Sequence, residues 1–187
     1  VPVVSPEKAA GLVPLSGDSW ELEYDHIVVT AGAVSRTFPI KGVADNAIGL
    51  KTIEEAVAIR DRLITNFDQA SLLPPGPERD RLLSVTVIGG GFAGIEIFAE
   101  LRSFASALLK SYPNISFEDT RFALVEATGR IMPEVSLKTS EWVLKNLAKR
   151  GAFVHLDTQL TSAVDGVVEL STGESFASDL IIWTAGV

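Results

Sequence analysis

Val87-Ile88-Gly89-Gly90-Gly91-Phe92-Ala93-Gly94 lies mid-way along the 187-residue chain, and its reading decides the fold. The apolar run 85–88 leads into it as a buried strand, and residues 91–109 continue with the apolar spacing of a helix. Glycines at 89, 91 and 94 match the Gly-x-Gly-x-x-Gly spacing at the strand-to-helix turn where that spacing has a mechanism. Gly89 permits the tight turn, Gly91 lets the backbone approach a pyrophosphate, and Gly94 allows helix and strand to pack closely. The start of the helix then offers unpaired N–H groups and a partial positive charge to phosphates. Gly89, Gly90, Gly91, Phe92, Ala93 and Gly94 are therefore the expected phosphate cradle, a tight turn with no ligand being the bland alternative.

Outward from the loop, the next predicted strand is 121–126, and it closes on a carboxylate, Glu126, followed by Ala127. An acid at that point accepts the hydroxyls of an adenosine ribose and repels a 2′-phosphate, which favours NAD(H) over NADP(H). Glu126 lies 32 residues beyond Gly94, farther than the usual spacing of about 20, and a long first helix plus a loop at 112–120 accounts for the excess. A surface carboxylate at a strand end is the competing reading, and Arg130 stands near enough to complicate the cofactor preference. Glu96 is read in the first turn of the helix, where the dipole stabilises a negative charge whatever its function; the functional reading aims it at the nicotinamide end of the cofactor.

Two near-copies of one phrase bracket the loop: Asp25-His26-Ile27-Val28-Val29-Thr30-Ala31-Gly32 and Asp179-Leu180-Ile181-Ile182-Trp183-Thr184-Ala185-Gly186. Each reads as an apolar strand running into Thr-Ala-Gly, as two equivalent crossings between a nucleotide-binding domain and the rest of a larger protein would. Before the first copy, residues 20–24 alternate in the manner of a half-buried strand, with Gly17-Asp18 as a turn. Residues 34–50 read as an irregular connection. A helix is predicted over 53–72, with Thr52 and Glu55 in capping-box spacing, an apolar face of Ile53, Ala56, Val57, Ile64, Phe67 and Ser71, and Pro74-Pro75-Gly76-Pro77 as its stop. A further helix is predicted over 137–150 and strands over 153–156 and 180–183, with a small meander over 159–176 between them. The fold expected is α/β, a Rossmann-like parallel sheet with helices on both faces and a meander insertion, preceded by a β-rich remnant. The domains expected are 1–46, a partial flavin-domain remnant, and 47–187, the nucleotide domain.

Composition narrows the partners. Twenty-four acidic residues against sixteen basic give a net charge of −8, which argues against nucleic acid and against docking on an anionic surface. There is no cysteine, so disulfides, thiolate metal sites and a dithiol centre are excluded from this chain, and a cytoplasmic setting is compatible. No signal peptide or membrane span is expected: glycines, Glu96 and Glu100 interrupt the apolar stretch 82–101. His26 and His155 read as structural residues in apolar strands, Trp142 and Trp183 as packing residues, and no metal-ligand cluster is visible. The first forty-odd residues, their apolar faces without the usual cover, are expected to be poorly ordered, or to pack against the nucleotide domain or another copy of the chain as a weak homodimer.

The segments Tyr24 to Gly32, Gly49-Leu50-Lys51-Thr52-Ile53-Glu54-Glu55-Ala56, Val87 to Glu96, Leu124-Val125-Glu126-Ala127, Arg130-Ile131-Met132-Pro133 and Trp183 to Val187 follow one another as in flavoproteins with two dinucleotide domains. With Ile59-Arg60-Asp61-Arg62-Leu63, Asn66-Phe67-Asp68-Gln69-Ala70 and Glu78-Arg79, the chain resembles the NADH-binding part of a type II NADH dehydrogenase, the single-subunit NADH:quinone oxidoreductase that pumps no protons. That resemblance implies hydride transfer from NADH to FAD and on to a quinone. It places the NADH pyrophosphate on the amides of Gly90 to Gly94, the adenosine ribose on Glu126, and Glu96 near the nicotinamide and quinone. It sets Thr30-Ala31-Gly32 and Thr184-Ala185-Gly186 as crossings close to the flavin. It also implies a parent peripheral on the cytoplasmic face of a membrane. The family's earlier glycine fingerprint for FAD, its later Gly-Asp segment and its C-terminal amphipathic region are not in these 187 residues, and Phe92-Ala93 replaces a common Pro-Thr pair. The piece alone is therefore expected to bind NADH without turning it over. A ferredoxin or disulfide reductase of the same superfamily, or a non-enzymatic NAD(H)-sensing module, would use the same loop.

Overall fold

The computed structural model describes residues 13–15, 19–21, 23–32 and 39–186. The chain divides into two units, Val1–Gly32 and Ala33–Val187. In the first, strands β1 (Val13–Leu15) and β2 (Ser19–Glu21) form an antiparallel pair, Val13 opposite Glu21 and Leu15 opposite Ser19. The expected Gly17-Asp18 turn lies outside the described residues. The strand expected over 27–30 is not formed: residues 23–32 pair with no strand among the described residues, and Ile27, Val28 and Val29 are exposed, Val28 by 82%. A strand requires a neighbour for its N–H and C=O groups, and an apolar sequence alone does not supply one.

The second unit is built on the glycine-loop strand. A five-stranded parallel sheet has the order β3-β10-β4-β5-β6, with β3 Ala47–Gly49, β4 Ser84–Ile88, β5 Arg121–Val125, β6 Phe153–His155 and β10 Leu180–Trp183. Thr86 stands beside Ala123 and Ile181, so the central strand is paired on both edges. All five residues of β4 and all four of β10 are buried, and their side chains alternate between two cores. Val85, Val87, Leu180, Ile182, Phe122 and Leu124 face the helices; Ile88, Ile181, Trp183 and Val125 face the meander. Burial on both faces is why β10 reads as a continuous apolar run and β4 as one broken by the buried Thr86.

Helices α2 (Ile53–Ser71), α4 (Phe92–Leu108) and α5 (Leu137–Lys149) cover the first face. The second face carries β7 (Leu160–Ser162), β8 (Val167–Leu170) and β9 (Ser175–Ala177), an antiparallel meander, with the four-residue α1 (Val43–Asn46) beside it. Helices thus lie on both faces, but the long ones share one. Phe98 of α4 meets Phe122 of β5 edge-on, ring centroids 6.1 Å apart, and both are fully buried. Among the described residues no helix is long and apolar enough to cross a membrane.

Three elements differ from the sequence reading. The stretch 34–50 contains α1 and the edge strand β3, three residues too short to show a period. The proline cluster stops α2 and also starts α3 (Pro77–Leu82), with Pro77 at its first position, where a missing N–H costs nothing. The capping box at Thr52 and Glu55 forms as expected, Glu55 N–H donating to Thr52 Oγ1 and Thr52 N–H to Glu55 Oε2. The buried stripe of α2 is Ile59, Leu63, Phe67 and Ala70, not the expected set, because Ile53 and Val57 are exposed. Residues 40–46 pack within the second unit, so its structural limit lies upstream of residue 47.

Candidate dinucleotide site

At the end of β4 the chain turns through Gly89 with φ of 114°, a value that L side chains rarely adopt. A Cβ on Gly89 would lie 2.7 Å from Thr184 Oγ1, and one on Gly94 would lie 1.9 Å from the Gly89 carbonyl oxygen. Those two glycines let helix and strand touch. Gly91 is different: its φ is −71°, open to any residue, and a Cβ there would meet nothing within 4 Å. Gly91 is also the N-cap of α4, with no side chain capping it. The first intrahelical bond runs from Ile95 N–H to Gly91 O at 3.0 Å, leaving the amides of Phe92, Ala93 and Gly94 without a helical acceptor. The protein has no packing use for a bare backbone at Gly91, and an anion seated on those amides has one.

The segment after β5 holds the loop from the other side. Glu126 Oε2 accepts the Gly90 N–H at 2.6 Å, while Oε1 accepts the Thr128 N–H at 2.8 Å and its hydroxyl at 2.7 Å. Met132 N–H donates to Gly90 O at 2.7 Å, and Ser140 Oγ to Ile131 O at 2.7 Å, which anchors the segment to α5. A carboxylate offers about four acceptor sites, so these bonds leave roughly one free. The Thr128 hydroxyl has a second acceptor, Arg130 O at 3.0 Å; turning to it would free another site for a diol. Arg130 Nη2 donates to the carbonyls of Met132, Pro133 and Val135, while its Nε is buried without a hydrogen-bond partner.

A cavity of about 420 Å³ lies along the carboxyl ends of β4, β5 and β10, lined by Gly89, Glu126, Ala127, Thr158, Trp183 and Ala185 among others. Chain order reverses there, β5 flanking β4 on one side and β10 on the other, and open α/β sheets bind ligands at such a crevice. The second Thr-Ala-Gly phrase closes it: Thr184 N–H and Oγ1 both donate to Ile88 O at 2.9 Å, and Gly186 turns with φ of 78°. At the other end of that phrase, Asp179 pairs with Arg81 of α3.

Of the residues expected at the site, Gly89, Glu126, Ala127 and Ala185 line this cavity, while Gly90, Gly91, Phe92, Ala93 and Gly94 form the turn and helix start beside it. Thr30, Ala31 and Gly32 belong to the first unit and are exposed; Gly32 repeats the left-handed turn of Gly186, with φ of 71°. Glu96 is exposed and is the fifth residue of α4, past the first turn where it was expected. Trp142 is 65% exposed rather than packed, whereas Trp183 is buried as expected. His155 lies in β6, its ring stacked near Phe176, but His26 is exposed and in no strand. The sequence reading missed Thr128, which orients Glu126, and Thr158, which follows β6; the rule that ligands sit at strand carboxyl ends would have pointed to Thr158.

The family model "Pyridine nucleotide-disulphide oxidoreductase" matches residues 2–187. The chain belongs to that family. Within the pyridine nucleotide-disulphide oxidoreductases it is 34% identical over 170 residues to a probable NADH dehydrogenase of Dictyostelium discoideum, covering 90% of this chain and 38% of that protein. It is 30% identical over 200 residues to the type II NADH:quinone oxidoreductase of Haemophilus influenzae, covering 97% of this chain and 45% of the relative. The chain thus spans less than half of either protein. NDH2 of Plasmodium falciparum, solved in complex with NADH, shares the fold with a TM-score of 0.77 at 23% identity, over 83% of this chain and 33% of that one. The resemblance to type II NADH dehydrogenases read from the motifs is borne out by these relatives.

Proposed function

We propose that this chain is the NADH-binding portion of an FAD-dependent NADH dehydrogenase whose whole passes hydride from NADH to FAD and on to a quinone. The observation that carries the reading is the bare Gly91 at the uncapped start of α4, with Glu126 held against Gly90 beside it. A bound dinucleotide would supply the hydride chemistry; the chain's own residues hold and orient it. The amides of Phe92, Ala93 and Gly94 take the pyrophosphate, Glu126 takes the ribose diol, and the cavity toward Ala185 takes the remainder. A carboxylate at Glu126 disfavours a 2′-phosphate, so NADH is bound in preference to NADPH. Glu96, and Thr30-Ala31-Gly32 in the first unit, are assigned toward the nicotinamide and flavin. The first unit, Val1–Gly32, is assigned to the flavin domain. Relatives named as NADH dehydrogenase and NADH:quinone oxidoreductase support the assignment. Peripheral membrane attachment on the cytoplasmic side belongs to the same reading. So does weak self-association through Ile27, Val28 and Val29, which sedimentation velocity would register as a concentration-dependent dimer.

Calorimetric titration of the purified chain with NADH and separately with NADPH tests the site. Saturable NADH binding is expected, at least tenfold tighter than NADPH, with Glu126→Gln narrowing the gap. Preference for NADPH, or NADH oxidation by the flavin-free chain, would overturn the reading.

A further inference from the structure

Arg102 lies on the sheet-facing side of α4, only 7% exposed. Its guanidinium carbon sits 4.5 Å from the ring centroid of Phe117 and 5.2 Å from that of Phe122. Stacking on rings occupies the flat faces of the guanidinium, whereas its five N–H groups lie in the plane at the edge. Among the described residues those groups meet no carboxylate, carbonyl or hydroxyl. Burial, and then repulsion from Arg150, depress the Arg102 pKa below its ordinary value, and no acidic partner offsets either. An arginine stays charged in a protein nonetheless.

The edge of Arg102 opens on a groove of about 960 Å³ at the amino ends of β5 and β6, which Lys149, Arg150, Ser103, Ser106 and Gly151 also line. Glu118 is the acid at this groove, one carboxylate against three cations, in a protein of net charge −8. Gly151 borders the guanidinium: a Cβ there would lie in ordinary contact, 3.9 Å from an Arg102 terminal nitrogen. The groove is at the end of the sheet opposite the glycine loop.

We propose that this groove is a second anion site, holding a phosphate-class oxyanion between Arg102 and Arg150. The planar fork of Arg102 would bind two oxygens side by side, and the exposed Arg150 and Lys149 would neutralise the charge from the solvent side. A free phosphate-bearing metabolite and a lipid phosphate headgroup share this chemistry.

The test follows the Arg102 Nε–H resonance of the ¹⁵N-labelled full chain during titration with inorganic phosphate, ionic strength being held constant with chloride. A saturable shift of that resonance is expected, with affinity weakened at least tenfold in Arg150→Gln, a change at an exposed position that leaves the core intact. Arg102→Lys, which keeps the charge and removes the fork, should abolish saturation, followed in that variant on the Gly151 backbone N–H resonance. A resonance that responds equally to chloride, or equal phosphate affinity in Arg150→Gln, would overturn the site. Co-sedimentation with vesicles containing phosphatidic acid but not with pure phosphatidylcholine, lost in Arg150→Gln, would assign the site to a headgroup; phosphate binding without co-sedimentation would assign it to a free anion.

Discussion

The glycines of the loop have separable duties, and substitution tells them apart. Gly94 faces backbone at 1.9 Å, so Gly94→Ala forces helix and strand apart; a loss of about 3 kcal/mol in urea unfolding is expected. Gly91→Ala meets open space at an ordinary φ, and its stability should fall by no more than about 1 kcal/mol, the usual range for an N-cap change. Its NADH affinity should nonetheless drop tenfold or more in calorimetry, since the new methyl stands where the phosphate would. Unchanged affinity in a folded Gly91→Ala would remove the cradle from the site. All three glycines were legible from their spacing. The Glu126 carboxylate was legible as an acid at a strand end, but its bonds to Gly90 and Thr128 depend on how two loops meet, which no spacing encodes.

At the scale of elements, α4 is fixed chiefly by Phe98 against Phe122. Phe98→Ala should cost about 3–5 kcal/mol in chemical denaturation, the range for emptying a buried aromatic site. The turn before β5 is fixed electrostatically. Asp119 accepts the Ser116 N–H at 2.8 Å and pairs at 3.0 Å with Arg79, a buried arginine that also reaches the carbonyl of Asn114. The Ser116 backbone bond, then its other partners, hold the Asp119 pKa below 3.8. A depressed acid contributes stability that is complete above its unfolded pKa and lost as pH falls through the folded one. Asp119→Asn should therefore destabilise by roughly 1 kcal/mol at pH 7, kept small because the carboxylate is 38% exposed. The difference from the parent chain should be full above pH 3.8 and shrink in unfolding curves as pH is taken progressively below it. Long elements with a clear period were legible to within a residue or two: α2 by its capping box, α5 by Gly151 beyond its end, β10 by its apolar run. The edge strand β3 was not, since three residues carry no period and its pairing with β10 joins positions more than a hundred residues apart.

Across the whole molecule, protection is uneven. Residues 23–32 lie in no helix or strand, with Tyr24 64% exposed, whereas the exposed Trp142 lies within a helix. Chymotrypsin under limiting conditions should cut first after Tyr24. The product starting at Asp25 should keep the thermal midpoint of the intact chain within about 2 °C, because among the described residues the cores gather none before Ile40. First cleavage inside residues 84–183 would contradict that order of stability.

The insertion of β10 between β3 and β4 has a consequence for how the protein is made. A ribosome delivers β3, β4, β5, β6 and the whole meander before it delivers the strand that joins β3 to β4. Until Trp183 has left the exit tunnel, β3 has no partner in the sheet and one edge of β4 stands bare. The nascent chain therefore passes through an interval with an open apolar seam, the state in which strands pair with the wrong neighbour and holdase chaperones find their clients.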